Sequence, residues 1–371
     1  MRYRHFLLCL MWLGVAGCAN QQPSNMSTRS APYARPASPA EIEFSPTLRR
    51  LNNEAAQLQP LAQSDLTHRF LAATIALPTI APRTAYVNEV SREYFSPAAR
   101  AALPDVRKTP LAEVQLDEYR YYYTKYGSPL AYLRALEFAY DKNFSDVAGK
   151  RILDFGYGSI GQLRLLASLG AQVTGVDPDG YLAALYTDAA DQGTIAAALI
   201  PNVSRRARGL QGSITLVQGF WPKDPRVLER VGRDYDLIMS KNTLKRGYVK
   251  PERKAENKRQ QVDLGVSDPV FLKAIFNALA PGGKLVIYNL HPKPAGPKEK
   301  YKPLADGRSP FSREQFEKAG LKVVTFDTAD HAAARKMGRL LKWDQNEKGE
   351  TIDDLDNNLF ALVTIVVRPA P

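Results

Sequence analysis

Asp154, Gly156, Gly158 and Gly161 stand close together in the stretch ILDFGYGSIG (152–161), and Asp177 closes the next apolar run, QVTGVD. These residue types at this spacing suit the holding of a nucleotide-like cofactor. Glycine tolerates positive φ, and its bare backbone lets a ligand lie close. A helix opening directly after the turn adds unpaired N–H groups and a partial positive charge, suited to a carboxylate or phosphate. An acid ending the following strand can accept hydrogen bonds from a ribose diol. The glycines match G-x-G-x-x-G, a pattern that gains meaning where it follows a strand and opens a helix.

The elements around the turn supply that context. From Arg151 the chain alternates RILDFG, IGQLRLLASLGA, QVTGVD, GYLAALYTDAADQG, ITLVQG, YDLIMS, VFLKAIFNALAPGG and KLVIYNL. Such alternation predicts a doubly wound α/β sheet, mostly parallel, with helices on both faces. The tail breaks the rhythm, since LKVVTFDTA and NNLFALVTIVV are strands separated by a polar stretch, which predicts an antiparallel ending. Residues 47–149 read as a mainly helical N-terminal region broken by prolines at 60, 78, 82, 97, 104 and 110. Leu130, Leu133, Leu136 and Tyr140 recur at helical spacing and predict a helix packed on the wound domain of residues 150–371.

Dinucleotides and S-adenosylmethionine share this arrangement, and three features separate them. Asp154 precedes the first glycine by two residues, where an acid suits the ammonium of a methionine moiety and sits badly beside a pyrophosphate. LAPGGKLVIYNL resembles the helix, Gly-Gly turn and fifth strand of class I methyltransferases, with Gly-Gly ending the helix. The antiparallel ending matches the reversed seventh strand of that family. Residues from about 150 to 367 thus resemble a class I S-adenosylmethionine-dependent methyltransferase with a Rossmann-like sheet. The resemblance implies that Asp154 faces the methionine amino group, that Gly156 and Gly158 lie under the cofactor, and that Asp177 holds the ribose hydroxyls. It also implies that YDLIMSKNTL (235–244) borders the transferable methyl, with Lys241 and Asn242 nearest the chemistry.

The chain departs from the family pattern in places. Ile160 stands where D-x-G-x-G-x-G has its third glycine, with Gly161 one place later. LVQGFWPKD lacks the acid that many members present to adenine, so Gln218 is the candidate acceptor and Phe220 or Trp221 the candidate cover of the purine face. There is no Asn-Pro-Pro-Tyr motif after the fourth strand. His291, in YNLHP, has the unperturbed pKa of a general base, although loop histidines are more often structural. Tyr121, Tyr122, Tyr123 and Tyr126 read chiefly as packing residues. No convincing metal-ligand spacing is present.

The whole chain of 371 residues carries a formal charge of +12, which favours an anionic partner. Lysine and arginine cluster in 244–259 and 291–302, insertions that leave the carboxyl ends of strands and read as a solvated or membrane-facing surface, or as an attraction for an acidic small-molecule or envelope substrate. Nucleic acid is disfavoured, because no recognised binding motif accompanies the charge. Residues 1–17 read as a signal peptide, with Arg2 and Arg4 ahead of a short apolar run. Val15-Ala16-Gly17-Cys18 resembles a bacterial lipoprotein lipobox, which implies lipidation at Cys18, a tether over 18–46 and an outer-membrane location facing the periplasm. The only other cysteine is Cys9, so no disulfide or thiol nucleophile is expected in the mature domain. Two functions compete: methyl transfer to an oxygen or nitrogen nucleophile, and a catalytically inactive methyltransferase-like lipoprotein acting as an envelope binding module. A dinucleotide oxidoreductase has only the glycines and Asp177 behind it.

Overall fold

The structure, a computed structural model, describes residues 44–124, 127–198, 211–253, 261–296, 298–346 and 348–371. The expected signal peptide (1–17), Cys18, most of the expected tether, Tyr126 and residues 254–259 of the basic run 244–259 lie outside the described residues. Phe44–Pro371 form one compact unit.

Serines preceding apolar periodic runs start the first helices. Ser45 caps Pro46–Leu58 by accepting from Leu48 N, and Ser64 forms a capping box at Asp65–Ala72. Leu130, Leu133 and Leu136 do share a helical face, in a 3-10 turn at Pro129–Tyr132 that runs into the helix Leu133–Ala139. Between these helices the structure holds a small antiparallel sheet that the reading of a mainly helical region did not contain. Its strands are β1 (Arg83–Asn88), β2 (Tyr94–Phe95) and β3 (Leu111–Leu116), ordered β2-β1-β3. The prolines at 82, 97 and 110 punctuate strand ends rather than break helices. With only Ala85 and Val87 of β1 buried, the apolar alternation is too brief to register as a strand.

The central sheet follows: β4 (Arg151–Phe155), β5 (Gln172–Asp177), β6 (Gly193–Ile195), β7 (Gly212–Gln218), β8 (Tyr235–Lys241), β9 (Leu279–His291), β10 (Lys322–Ala329) and β11 (Phe360–Val367). Its order is β10-β11-β9-β8-β4-β5-β7-β6. Strands β7, β5, β4, β8 and β9 run parallel, while β11 lies antiparallel between β9 and β10. A doubly wound sheet with a reversed strand next to its edge is the architecture that the sequence resemblance implied. The short β6 adds an antiparallel edge to β7. Side-chain alternation sends Ile152, Leu237 and Met239 to one core and Leu153, Ile238 and Leu285 to the other.

One boundary differs from expectation. The helix Asp268–Ala278 ends before the glycines, and β9 already begins at Leu279. Gly282 sits at φ +80°, and a Cβ on Gly283 would come within 2.5 Å of Tyr235 O. The pair therefore serves a bulge against β8, where the register shifts between Tyr235 and Leu237.

Buried ion pairs fasten the N-terminal region to the sheet domain. Arg83 of β1 donates to Asp191 Oδ1 and Oδ2 at 2.9 and 2.5 Å, and Tyr121 donates to the same carboxylate at 2.7 Å. Arg134 makes a bidentate pair with Asp330 at 2.9 Å, which also accepts from the Tyr288 hydroxyl.

Candidate functional site

Because β4 lies between β5 on one side and β8 on the other, the crevice beyond the carboxyl ends of β4 and β8 is the switch point of the sheet. Asp154, next to last in β4, and Lys241, last in β8, therefore stand at its mouth. Asp154 is opposite Met239, and Lys241 follows Met239 by two residues on the same face.

The turn after β4 is built from glycines with distinct tasks. Gly156 (φ +75°) and Gly158 (φ +63°) adopt left-handed backbone. A Cβ on Gly156 would fall 2.2 Å from Thr243 Oγ1, so the exit of β8 packs directly on this glycine. A Cβ on Gly158 would meet Thr124 only at 3.6 Å, an ordinary contact. Gly161 opens the helix Gly161–Ser168, but its Cβ position is 2.5 Å from Tyr122 O and 2.8 Å from Pro129, so it makes room for the N-terminal segment. Ser159 and Ile160 are likewise engaged, Ser159 Oγ donating to Tyr122 O and Ile160 N to the Tyr186 hydroxyl. Ile160 is fully buried, a packing residue in the third glycine's place.

Asp154 has no exposed surface, and its two oxygens have different partners. Tyr132 donates to Oδ1 at 3.2 Å, and Gln162 Nε2 donates to Oδ2 at 3.0 Å while also reaching Tyr157 O at 2.7 Å. Burial pushes the Asp154 carboxyl up to about 7, against the opposing pull of those two hydrogen bonds and of Lys241. Lys241 is a half-buried residue whose ammonium lies 5.4 Å from the Tyr132 ring centroid. Burial lowers its pKa to about 8, with Asp154 acting in the opposite direction.

Asp177 ends β5 and accepts from Asp179 N at 2.9 Å through Oδ1. Burial raises its carboxyl to about 6. The parallel register sets Asp177 beside Gln218, whose side chain is exposed, and Phe220 follows at 49% exposure. Trp221 is a correction to the purine-cover expectation: it is buried against Phe155 and Phe271, inside the second core. Near Asp177, Tyr94 of β2 packs edge-on to Tyr181 with centroids 5.0 Å apart.

The candidates for the chemical step separate. Asn242, at φ +63°, accepts from Leu290 N at 2.7 Å through Oδ1 and so shapes the β8 exit. His291 ends β9, is buried, and pairs Nδ1 with Pro292 O at 2.9 Å. Its ring stacks on Phe360, burial lowers its pKa to about 4, and Nε2 has no partner among the described residues. Buried Lys245 donates to Leu290 O and Leu304 O. In the first insertion Arg246 pairs with Asp306 and Lys250 with Asp268, and Arg308, beyond the second insertion, pairs with both Asp306 and Glu252. Tyr121, Tyr122 and Tyr123 are buried packing residues.

Tyr132, Gln162 and Thr243 went unnoticed in the sequence. Gln162 carried a signal, since it falls in the first turn of the helix that the glycines open. Tyr132 carried none, because only tertiary packing brings residue 132 to Asp154.

The donor set fits an S-adenosylmethionine-like group. A buried carboxylate suits its ammonium, the acid ending β5 suits its diol, and Gly158 presents left-handed backbone without a side chain. Among the described residues, no grouping of histidine, cysteine or acid could hold a metal ion, and no helix is long and apolar enough to cross a membrane.

No protein-family model matches the sequence, and no curated protein does. Among solved structures, the chain is similar to the 4+2 cyclase SpnF at 17% identity and TM-score 0.38, over 64% of this chain and 81% of that one. A Mesorhizobium loti S-adenosylmethionine-dependent methyltransferase is matched at 17% identity and TM-score 0.32, over 64% and 98% of the two chains. The Haemonchus contortus phosphoethanolamine N-methyltransferase 2, solved with S-adenosyl-L-methionine, is matched at 14% identity and TM-score 0.35, over 80% and 74%. The fold assignment rests on the strand order and the reversed β11.

Proposed function

We propose that the chain is an S-adenosylmethionine-dependent methyltransferase acting on an oxygen or nitrogen nucleophile. The observation that carries this reading is the fully buried Asp154 at the switch point, held by Tyr132 and Gln162 beside the positive-φ turn. Asp154 would take the ammonium, Asp177 the ribose hydroxyls, and Gly158 the close backbone approach. When bound, the cofactor supplies an electrophilic methyl on a sulfonium. The protein's part is then to align the acceptor in line and to let its proton leave. His291 Nε2 is unprotonated at neutral pH, but it is buried at the end of β9 and held to Pro292, so it is not assigned as the base.

The test is transfer of label from methyl-labelled S-adenosylmethionine to an acceptor in an envelope extract, with Asp154→Asn as control. Transfer by the wild type and not by the variant supports the reading. Binding of the cofactor without transfer to any acceptor favours the envelope binding module instead.

We also propose that lipidated Cys18 tethers the domain to the outer membrane, facing the periplasm. The lipobox-like Val15-Ala16-Gly17-Cys18 and the proline-rich stretch after it support this. Metabolic labelling with a fatty acid should mark the wild type and not Cys18→Ser; an unlabelled, cytosolic wild type contradicts it. An acidic envelope molecule is the acceptor class that the basic insertions favour.

A further inference from the structure

Among the described residues, Lys241 at the end of β8 is a charged group to which the cofactor reading gives no task. Its ammonium makes no hydrogen bond or ion pair to another described residue; it lies 5.4 Å from the Tyr132 ring, in the field of Asp154 and of the like-charged Lys245. The lysines and arginines in the insertions that follow are anchored differently. Lys245 caps two carbonyls, Arg246 pairs with Asp306, and Lys250 with Asp268. Lys241 is thus a cation at the mouth of the switch point with its hydrogen-bonding capacity unspent.

The geometry supports one arrangement. Asp154 and Lys241 end adjacent parallel strands on the same face, one fully buried and one half-buried, with Tyr132 touching both. A cation and an acid so placed are, once the acid is ionised, complementary to a zwitterion, whose ammonium and carboxylate are separated by a single carbon. We propose that Lys241 is a binding residue for the α-carboxylate of the cofactor's amino-acid moiety, forming with Asp154 a clamp for the zwitterion. The assignment rests on the proposed cofactor reading. It removes Lys241 from the candidates for the methyl-transfer base, because a carboxylate partner holds the lysine protonated.

The clamp predicts selectivity for ligands that keep the amino acid. S-adenosylhomocysteine carries the zwitterion, whereas 5′-methylthioadenosine has the same nucleoside and thioether without it. Calorimetric titration of the full chain with both probes separates the contributions. Lys241→Met should weaken S-adenosylhomocysteine by tenfold or more and leave 5′-methylthioadenosine within about twofold. Lys241→Arg should restore most of the loss. Thermal melting of each variant checks that the fold is kept.

Unchanged or tighter S-adenosylhomocysteine binding by Lys241→Met overturns the clamp, because the lysine would then be an idle or competing cation. Equal loss for both probes overturns it too, since the effect would not depend on the carboxylate. Wild-type protein that binds neither probe overturns the cofactor reading and the clamp together, an outcome distinct from failure of the clamp alone.

Discussion

The Tyr132 hydroxyl donates to Asp154 Oδ1 at 3.2 Å, so a residue from outside the wound sheet completes the environment of the acid that begins the glycine turn. The N-terminal region is therefore part of the site and not merely a support. Tyr132→Phe should remove that bond while keeping the ring beneath Lys241. Leaving a buried acceptor short of a donor costs roughly 1–3 kcal/mol. Chemical denaturation should show a loss in that range, and S-adenosylhomocysteine should bind more weakly; an unchanged midpoint and affinity would show the contact to be idle.

Asp154 makes the site pH-dependent. Its folded pKa, about 7, lies above the ordinary carboxyl value, so its contribution to stability is fully present below about pH 4 and is lost as pH rises through 7. The stability difference between wild type and Asp154→Asn should therefore shift against the wild type from pH 4 to 7 and level off above. Ligand binding has the opposite trend, since the ammonium needs the ionised acid. Affinity for S-adenosylhomocysteine should rise between pH 6 and 7.5 in the wild type and stay flat in Asp154→Asn. A flat wild-type profile would remove Asp154 from ammonium recognition.

The three glycines should respond differently to alanine. Gly156→Ala meets both a positive φ and Thr243, and should destabilise by more than about 1 kcal/mol. Gly161→Ala drives a methyl towards Tyr122 O and Pro129, so its cost should appear in stability. Gly158→Ala has room in the free protein and meets only the positive φ, so of the three it should show the largest ratio of binding loss to stability loss. Equal ratios across the three, from paired denaturation and calorimetry, would contradict these separate roles.

Asp191 is fully buried and joins Arg83, Tyr121 and the backbone of Asp188. Asp191→Ala leaves the Arg83 guanidinium with only the exposed Asp188 carboxylate at 3.0 Å, and the expected loss is at the low end of about 3–5 kcal/mol. Urea denaturation measures it. A loss under 1 kcal/mol would mean that the pair does not fasten β1 to the sheet domain.

Much of this was legible in the residues themselves. Asp154, the glycines and Asp177 lie close in sequence, and β4, the turn and β5 are local elements whose alternation survives folding. The reversed β11 showed as an apolar run without a following helix. What lay hidden depends on long-range packing. Tyr132 reaches Asp154 across the N-terminal junction, Gly161 answers to Pro129, and Trp221 turns into the core while Phe220 next to it stays exposed. The small β1–β3 sheet was hidden for another reason: its strands are short and half-exposed, and its prolines imitate helix breaks.

The central claim is that the crevice between β4 and β8 holds S-adenosylmethionine, and calorimetric titration of the full chain tests it most directly. The account predicts saturable one-site binding of S-adenosylmethionine and S-adenosylhomocysteine, weakened at least tenfold by Asp154→Asn and by Asp177→Asn. A folded wild-type protein that takes up neither ligand would contradict it.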